Sequence, residues 1–336
     1  MYTLKEIKHR LIPDKLRQLY YSYLRNQEYK KMLSLPECEY EEYLCSRYIE
    51  MMNRYPHSRG MIMDFNNPVT YTQKQQWMKL YDQSDIKALY SDKYEVRKHI
   101  INTIGDNYLI PLIKINGKDH FDNPEEIDFN LLPNSFVIKC NHGSHYNIII
   151  KDKKCLSVHD IKLIRKQLNY WLNEHYAFLV GLELVYEKIK PKIIIEKYMA
   201  INDDLPDYKF MCFSGEVKYV WCDQGRFTDH RRSVFDLDYN LMPFNLHIHE
   251  NVKNMEKPKN FNKMVEIANM LCDKFPYVRV DLYNIDGEIY FGELTFCSGA
   301  GYQCPIPVNY DKILGDLIIL DLKKRDNNYK YRRQIG

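Results

Sequence analysis

VRVDLYNIDGEIYFGELT, Val278 to Thr295, alternates apolar and polar residues on both sides of Asp286-Gly287, a pattern that predicts two strands joined by a tight turn. Side chains alternate faces along a strand, so the parity of the turn decides which groups meet. A three-residue turn with Gly287 left-handed puts Arg279, Asp281, Glu293 and Thr295 on one face. Val278, Val280, Leu282, Tyr290 and Leu294 then share the other face, which is apolar and predicted to bury. A two-residue turn separates Asp281 from Glu293. With the odd turn, two carboxylates and a guanidinium crowd one surface, and carboxylates so placed repel unless a cation or shared proton intervenes. Hard oxygen ligands of this kind suit Mg²⁺ held beside phosphate oxygens. The plain alternative is a solvated face carrying an Arg–carboxylate ion pair.

The same periodicity divides the rest of the chain. Thr3 to about Arg54 reads as helical, charged and tyrosine-rich, and Thr72–Leu80 and Ser91–Ile104 as helices, the second capped by Ser91. Tyr108–Ile115 is strand-like. Phe129–Leu132 precedes a turn at Pro133-Asn134, and Ser135–Cys140 and Asn147–Lys151 are strands around a polar loop. Ser157–Tyr176 is a long helix and Lys192–Tyr198 a buried strand. Tyr208–Phe213 and Glu216–Trp221 form a hairpin around Ser214-Gly215, while Phe261–Phe275 and Asp311–Lys323 are helices. At 336 residues the chain exceeds one minimal core, and two or three lobes are expected.

Composition excludes several classes. The formal net charge of +3 is small, and the aromatics sit mostly in buried patterns rather than beside a basic groove, so no nucleic-acid partner is expected. Basic residues collect at the end, where Lys323, Lys324, Arg325, Lys330, Arg332 and Arg333 face only Asp326. Such a tail reads as solvated, with peripheral contact to an anionic membrane face or glycan as the alternative. The opening MYTLKEIKHRLIPDK has no apolar signal segment, and no membrane-length apolar run follows. Nine scattered cysteines, without a CxxC pair, favour a reduced, cytoplasmic protein.

Two further segments carry candidate chemistry. In SFVIKCNHGSHYNIIIKDK, Lys139 ends an apolar strand, and Asn141-His142-Gly143-Ser144 forms a turn whose free N–H groups, with the lysine, suit phosphate oxygens. This is no Walker loop, because GxxxxGK[ST] is absent. His142 and His145 form at best a poor metal pair. In PKIIIEKYMAINDDLPDYKF, the strand ends at Glu196-Lys197-Tyr198-Met199, where exposed backbone groups suit an adenine edge, and Asp203 or Asp204 suits ribose hydroxyls. Asp207 and Lys209 point to one side of the next strand.

In order along the chain, these pieces resemble the ATP-grasp superfamily, and most closely its TupA-like group, found among bacterial cell-surface polysaccharide genes. The resemblance rests on QQWMKLYD, SDKYEVR, FVIKCNHGS, IIIEKYM, LPDYKFMCFSGE, FPYVRVDLYN and YFGELTFCSGAG, and covers roughly Thr70 to Leu322. It implies an α+β fold of two lobes clasping a nucleotide, preceded by a mainly helical N-terminal extension. The divisions expected are an extension at 1–68, an N-terminal lobe at 69–134, a lid subdomain at 135–200, a metal-binding subdomain at 201–322 and a basic tail at 323–336.

By that resemblance, Lys93 and Lys139 hold the phosphates of ATP, with His142, Gly143 and Ser144 in the lid loop Asn141–Tyr146. Glu196 and the Lys197, Tyr198 and Met199 backbone hold adenine. Asp281 and Glu293 ligate Mg²⁺, and Thr295 stands where many relatives carry a third ligand, often Asn. Arg279 faces the transferred phosphate. Lys209 replaces an arginine of related peptide ligases, a point charge instead of a bidentate fork, with Asp207 to orient it. Arg226, Arg231 and Arg232 stand near the site mouth, and Ser298-Gly299-Ala300-Gly301 resembles a substrate-facing loop. The activity implied is ligation of an amine, such as an amino acid, to a carboxylate (a uronic acid) of an acidic surface glycan or its precursor. An ATP-dependent glycan kinase, with Asp223, Asp229 or His230 as base, and a non-catalytic glycan-binding protein remain open.

Overall fold

The computed structural model describes residues 2–3, 15–54, 58, 60–178, 181–199, 207–224, 231–246 and 255–325. In chain order its elements begin with β1 (Tyr2–Thr3), α1 (Lys15–Ser34), α2 (Glu37–Arg54), α3 (Tyr71–Tyr81), α4 (Asp85–Ser91) and α5 (Val96–Thr103). Next come β2 (His120–Phe121), β3 (Phe136–Cys140), β4 (Asn147–Ile150), α6 (Val158–Leu172) and β5 (Ile193–Lys197). The last are β6 (Asp207–Phe213), β7 (Glu216–Gln224), β8 (Arg231–Phe235), α7 (Phe261–Leu271), β9 (Tyr277–Ile285), β10 (Glu288–Thr295) and α8 (Asn309–Asp316). Among the described residues no helix is long and apolar enough to cross a membrane.

Two five-stranded sheets organise the fold: a smaller one in the order β1-β4-β3-β5-β2, and a larger antiparallel one in the order β10-β9-β6-β7-β8. The small sheet packs on α6, with Ile138, Ile148, Ile164 and Leu168 all fully buried between them. Ser157 starts α6 with a capping box completed by Asp160. One face of the large sheet carries Phe210, Val220, Val280, Leu282 and Leu294 against α5 and α7. The opposite face splits along its length. Met211, Phe213, Trp221 and Tyr277 pack into a core shared with α2 and α3, whereas Lys209, Arg279 and Asp281 make a buried polar end.

The hairpin β9–β10 corrects the expected turn and restores its consequence. Ile285 pairs with Glu288, so the turn holds only Asp286 and Gly287, both left-handed at φ 54° and 99°. A turn with two positive-φ residues matches the twist of the flanking strands. Carried on unbroken, that register would set Glu293 opposite Val280, on the apolar face. Instead the register slips between Phe291 and Glu293, and Gly292 is absorbed as a bulge. Glu293 therefore pairs with Asp281 and Thr295 with Arg279. Before the bulge the other parity holds, so Tyr290 pairs with Tyr283, and Ile289 and Phe291 bury in its place.

Other expectations shift. Tyr108–Ile115 is no strand: a 3-10 turn at Asp106–Tyr108 leads into isolated bridges of Leu109 to Phe291 and Leu112 to Glu196. Ser91 ends α4, and Asp92 instead accepts the amides of Tyr94 and Glu95 ahead of α5. The basic tail is docked where it starts. Lys324 reaches Asp82 at 2.6 Å and Arg325 reaches Glu41 at 3.0 Å, since two buried-side carboxylates await them. Lys330, Arg332 and Arg333 lie outside the described residues.

Candidate active site

Register builds a row of three charged side chains, ended by a tryptophan, across the polar end of the large sheet. Glu293, Asp281, Lys209 and Trp221 are neighbours on β10, β9, β6 and β7 in turn. Arg279 closes the centre: Nε and Nη2 donate to the two Asp281 carboxylate oxygens at 2.6 Å each. The same Nη2 also donates to Glu293 Oε1 at 2.9 Å and Thr295 Oγ1 at 3.2 Å. Thr295 in turn donates to Glu293 Oε1 at 3.0 Å, so its hydroxyl fixes the carboxylate. This is not the solvated ion pair of the plain alternative, since Arg279 and Asp281 are 7% and 4% exposed. Burial disfavours charge on Glu293, yet Lys93, Arg279 and Thr295 hold its carboxyl down at about 2. Burial pushes Asp281 upward, opposed by Arg279 and Lys209.

Lys209 is enclosed between Asp207 and Asp223, the latter at 3.2 Å. Asp223 also accepts from Arg232 Nε at 2.6 Å and Trp221 Nε1 at 3.0 Å. Despite burial, Lys209 and Arg232 keep Asp223 well below the ordinary carboxylate range. Arg232 lies 3.7 Å from the centre of the Trp221 ring. Of the arginines expected at the mouth, Arg232 thus belongs to this buried network and half-buried Arg231 opens β8. Arg226, Asp229, His230, Asp203 and Asp204 lie outside the described residues.

The two lysines expected at the phosphates meet the small sheet and its loop. Lys139, near the end of β3, pairs with Glu196, which Arg97 also reaches at 3.5 Å. Lys93 donates to the Gly143 carbonyl at 2.6 Å. Burial lowers the Lys93 pKa, the charge of Glu293 opposes that, and Lys139 adds to it. Lys93, Lys139 and Glu293 therefore share one field.

The loop expected as a lid is mostly anchored. Asn141 Nδ2 donates to Asp92 at 2.8 Å and its Oδ1 accepts from the Lys192 amide at 2.6 Å, while Tyr146 bonds Glu174 at 2.7 Å. Within the loop only Ser144 and His145 are exposed. His142 is buried with Nε2 at 3.0 Å from the Trp171 carbonyl, which commits its ring to the helix behind the loop. Burial pushes this imidazole down to about 4. The amides of His142 and Gly143 meet no acceptor among the described residues, which fits a phosphate cradle. At the adenine edge the Lys197 amide is already donated to the Pro111 carbonyl at 3.0 Å, so it is not open to a base.

For Mg²⁺ the donor chemistry fits. Asp281, Glu293 and Thr295 offer hard oxygens on one face, although among the described residues no group of three His, Cys, Asp or Glu forms a closed cage. An ion that keeps waters and phosphate oxygens in its shell needs only one or two carboxylates. Sequence reasoning missed Glu183, a buried carboxyl whose pKa burial raises to about 7, with Lys79, Glu293 and Arg279 acting on it in that order. The signal was available, because Glu183 is the only charged residue in the apolar run Ala177–Tyr186.

Two lobes, each built on its own sheet, with facing lysines and an acidic strand pair, define an ATP-grasp protein. Residues 73–319 match the family described as TupA-like ATPgrasp, and the chain belongs to that family. Solved structures that resemble it include D-alanine–D-alanine ligase from Bacillus anthracis (16% identity, TM-score 0.37, covering 79% of this chain and 72% of that one). Another is D-alanyl-alanine synthetase A from Vibrio cholerae O1 biovar eltor str. N16961 (11% identity, TM-score 0.38, covering 79% and 68%). A third is the ATP-grasp ligase PsnB complexed with minimal precursor, Mg and ADP (12% identity, TM-score 0.32, covering 68% and 58%). Among curated proteins none matches the chain.

Proposed function

We propose that this chain is an ATP-dependent carboxylate–amine ligase that works through an acyl phosphate. The observation that carries the reading is the Arg279–Asp281–Glu293 cluster on the large sheet, with the Glu293 charge acting on Lys93 where that lysine is held at the Gly143 carbonyl. A carboxylate attacking the γ-phosphorus meets an anionic group, so cations must neutralise the in-line transition state. Lys93 and Lys139 hold the phosphates, the His142 and Gly143 amides take their oxygens, and Arg279 faces the phosphoryl group in transit. Asp281 and Glu293 hold Mg²⁺, which when bound neutralises charge on the phosphate oxygens. Arg279 releases part of its hold on both carboxylates in exchange for phosphate. Lys209, fixed by Asp207 and Asp223, offers its ammonium to the acyl phosphate until the amine attacks its carbonyl carbon and the departing phosphate takes up the amine's proton.

The kinase alternative needs a base for a hydroxyl. Asp223, one candidate, is held ionised by Lys209 and Arg232 and takes up no proton near neutrality. The acid partner is a uronic acid of a surface polysaccharide or its precursor, and the amine an amino acid; both come from the family's setting. Incubation with ATP, Mg²⁺, uronic-acid glycans, mixed amino acids and hydroxylamine as trap tests the reading. Hydroxamate with ADP supports the ligase, whereas a stable phosphorylated glycan without hydroxamate overturns it for the kinase.

A further inference from the structure

Helix α1 lies outside the family match, which begins at residue 73, yet one of its charged side chains enters the lobe that carries the phosphate loop. Arg25 is 6% exposed; its Nη2 donates to the Tyr170 hydroxyl on α6 and pairs with Glu174 just past the end of that helix. The Glu174 side chain is buried with it, and its other carboxylate oxygen accepts from the Tyr146 hydroxyl at 2.7 Å. Tyr146 ends the loop 141–146, and its ring stacks on Trp171 at 5.1 Å and meets Tyr176 edge to face at 5.4 Å. Those two tyrosine rings close on Gly143, where a Cβ would lie 2.7 Å from Tyr176 and 2.9 Å from Tyr146. The Gly143 carbonyl in turn accepts from the Lys93 ammonium at 2.6 Å. An unbroken run of contacts thus leads from the extension to the loop read as the phosphate cradle.

We infer that Arg25 is a positioning residue of the phosphate loop: through Glu174 it fixes Tyr146, and Tyr146 fixes the backbone at Gly143. The inference rests on the nucleotide half of the ligase reading and gives the helical extension a part in ATP binding. A buried carboxylate keeps its charge only beside a partner, and a charged acceptor holds a phenol more firmly than a neutral one. Arg25 therefore decides how tightly Glu174 holds Tyr146. One nitrogen of its guanidinium reaches both the carboxylate and the Tyr170 hydroxyl, which ties Glu174 to α6. Binding groups keep their geometry when packing and hydrogen bonds behind them lock their place. A second contact of the same helix runs elsewhere: Tyr29 stacks on His175 at 3.9 Å, and His175 reaches Glu187 at 2.6 Å. The extension thus docks through one side chain and supports the loop through another.

The test compares the full chain with its Arg25→Met, Arg25→Lys and Tyr29→Ala variants. Calorimetry reads the affinity for ATP with Mg²⁺, and NMR titration the affinity for adenosine, which has no phosphates and serves as the control. Amide hydrogen exchange without nucleotide reads residues 141–146. Arg25→Met is expected to weaken ATP binding roughly fivefold or more, leave adenosine within about twofold, and speed exchange in the loop. Arg25→Lys should recover part of the loss, and Tyr29→Ala should leave ATP affinity and loop exchange as in the wild type. Should Arg25→Met fail to fold, Tyr146→Phe removes only the bond to Glu174 and is expected to act in the same direction. With a wild type that binds ATP, unchanged ATP affinity or loop exchange in Arg25→Met refutes Arg25 alone. Equal losses for ATP and adenosine, or Tyr29→Ala matching Arg25→Met, mean support of the fold only and overturn the assignment. Faster loop exchange in Arg25→Met, with no ATP binding by the wild type, refutes the nucleotide reading alone.

Discussion

Glu293 stands directly across from Asp281 on the adjacent strand, and the bulge at Gly292 is what sets it there. The two carboxylates meet only because one residue is taken out of register between a tight turn and the end of the strand. A Cβ on Gly292 would lie 3.1 Å from the Asp281 carbonyl oxygen and 3.2 Å from the Tyr283 ring, so this position resists any side chain.

Gly292→Ala should therefore lower stability by about 1 kcal/mol and move Asp281 away from Glu293. Urea denaturation reads the first effect. The Mg²⁺ concentration for half-maximal ADP binding reads the second and should rise severalfold. An unchanged Mg²⁺ midpoint would separate the bulge from metal affinity.

Lys209 is predicted to be a stability residue as well as a site residue. It is 2% exposed between two carboxylates, and Lys209→Met leaves Asp207 and Asp223 with one cation, Arg232, on the far side. Breaking a buried ion pair on one side costs about 3–5 kcal/mol. Denaturant unfolding should show a loss of that order, and a loss below about 1 kcal/mol would refute the buried network.

Acid should destabilise the fold through His142. Its folded pKa is about 4, below its ordinary 6.5, because burial excludes the charged ring. The unfolded chain therefore binds the proton first. Stability from the neutral ring is complete above pH 6.5, declines as pH falls, and is lost once pH passes through the folded value. Between pH 7 and 4 the wild type should lose more stability than His142→Asn, by up to about 3 kcal/mol. Parallel pH profiles for the two proteins would contradict this.

Much of this site was legible in the sequence because strand alternation and charge are local properties. Of the expected apolar face, Val278, Val280, Leu282 and Leu294 are buried while Tyr290 is not, and Lys139 stands one residue before the end of its strand. The turn is one residue shorter than alternation alone suggests, and a lone glycine in a strand is the sign of the bulge that compensates. Other features are tertiary. His142 turns inward because Trp171 offers a carbonyl, and Asp82 and Glu41 capture the start of the tail. Helix α4 and strand β8 lacked enough length or alternation to stand out.

The loss of either side of the nucleotide field should be large. Glu293→Gln and Lys139→Ala each remove a group at the phosphates, and turnover of ATP should fall by roughly 10²–10³-fold, as for a lost oxyanion donor. Circular dichroism should remain that of the wild type in both.

Calorimetric titration of the full chain with ATP, in the presence and absence of Mg²⁺, tests the central claim most directly. Binding should require Mg²⁺, and should weaken at least tenfold both in Glu293→Gln and in the Lys93→Ala, Lys139→Ala double variant. Equal affinity in all three proteins, or binding indifferent to Mg²⁺, would contradict a nucleotide held between the acidic strand pair and the two lysines.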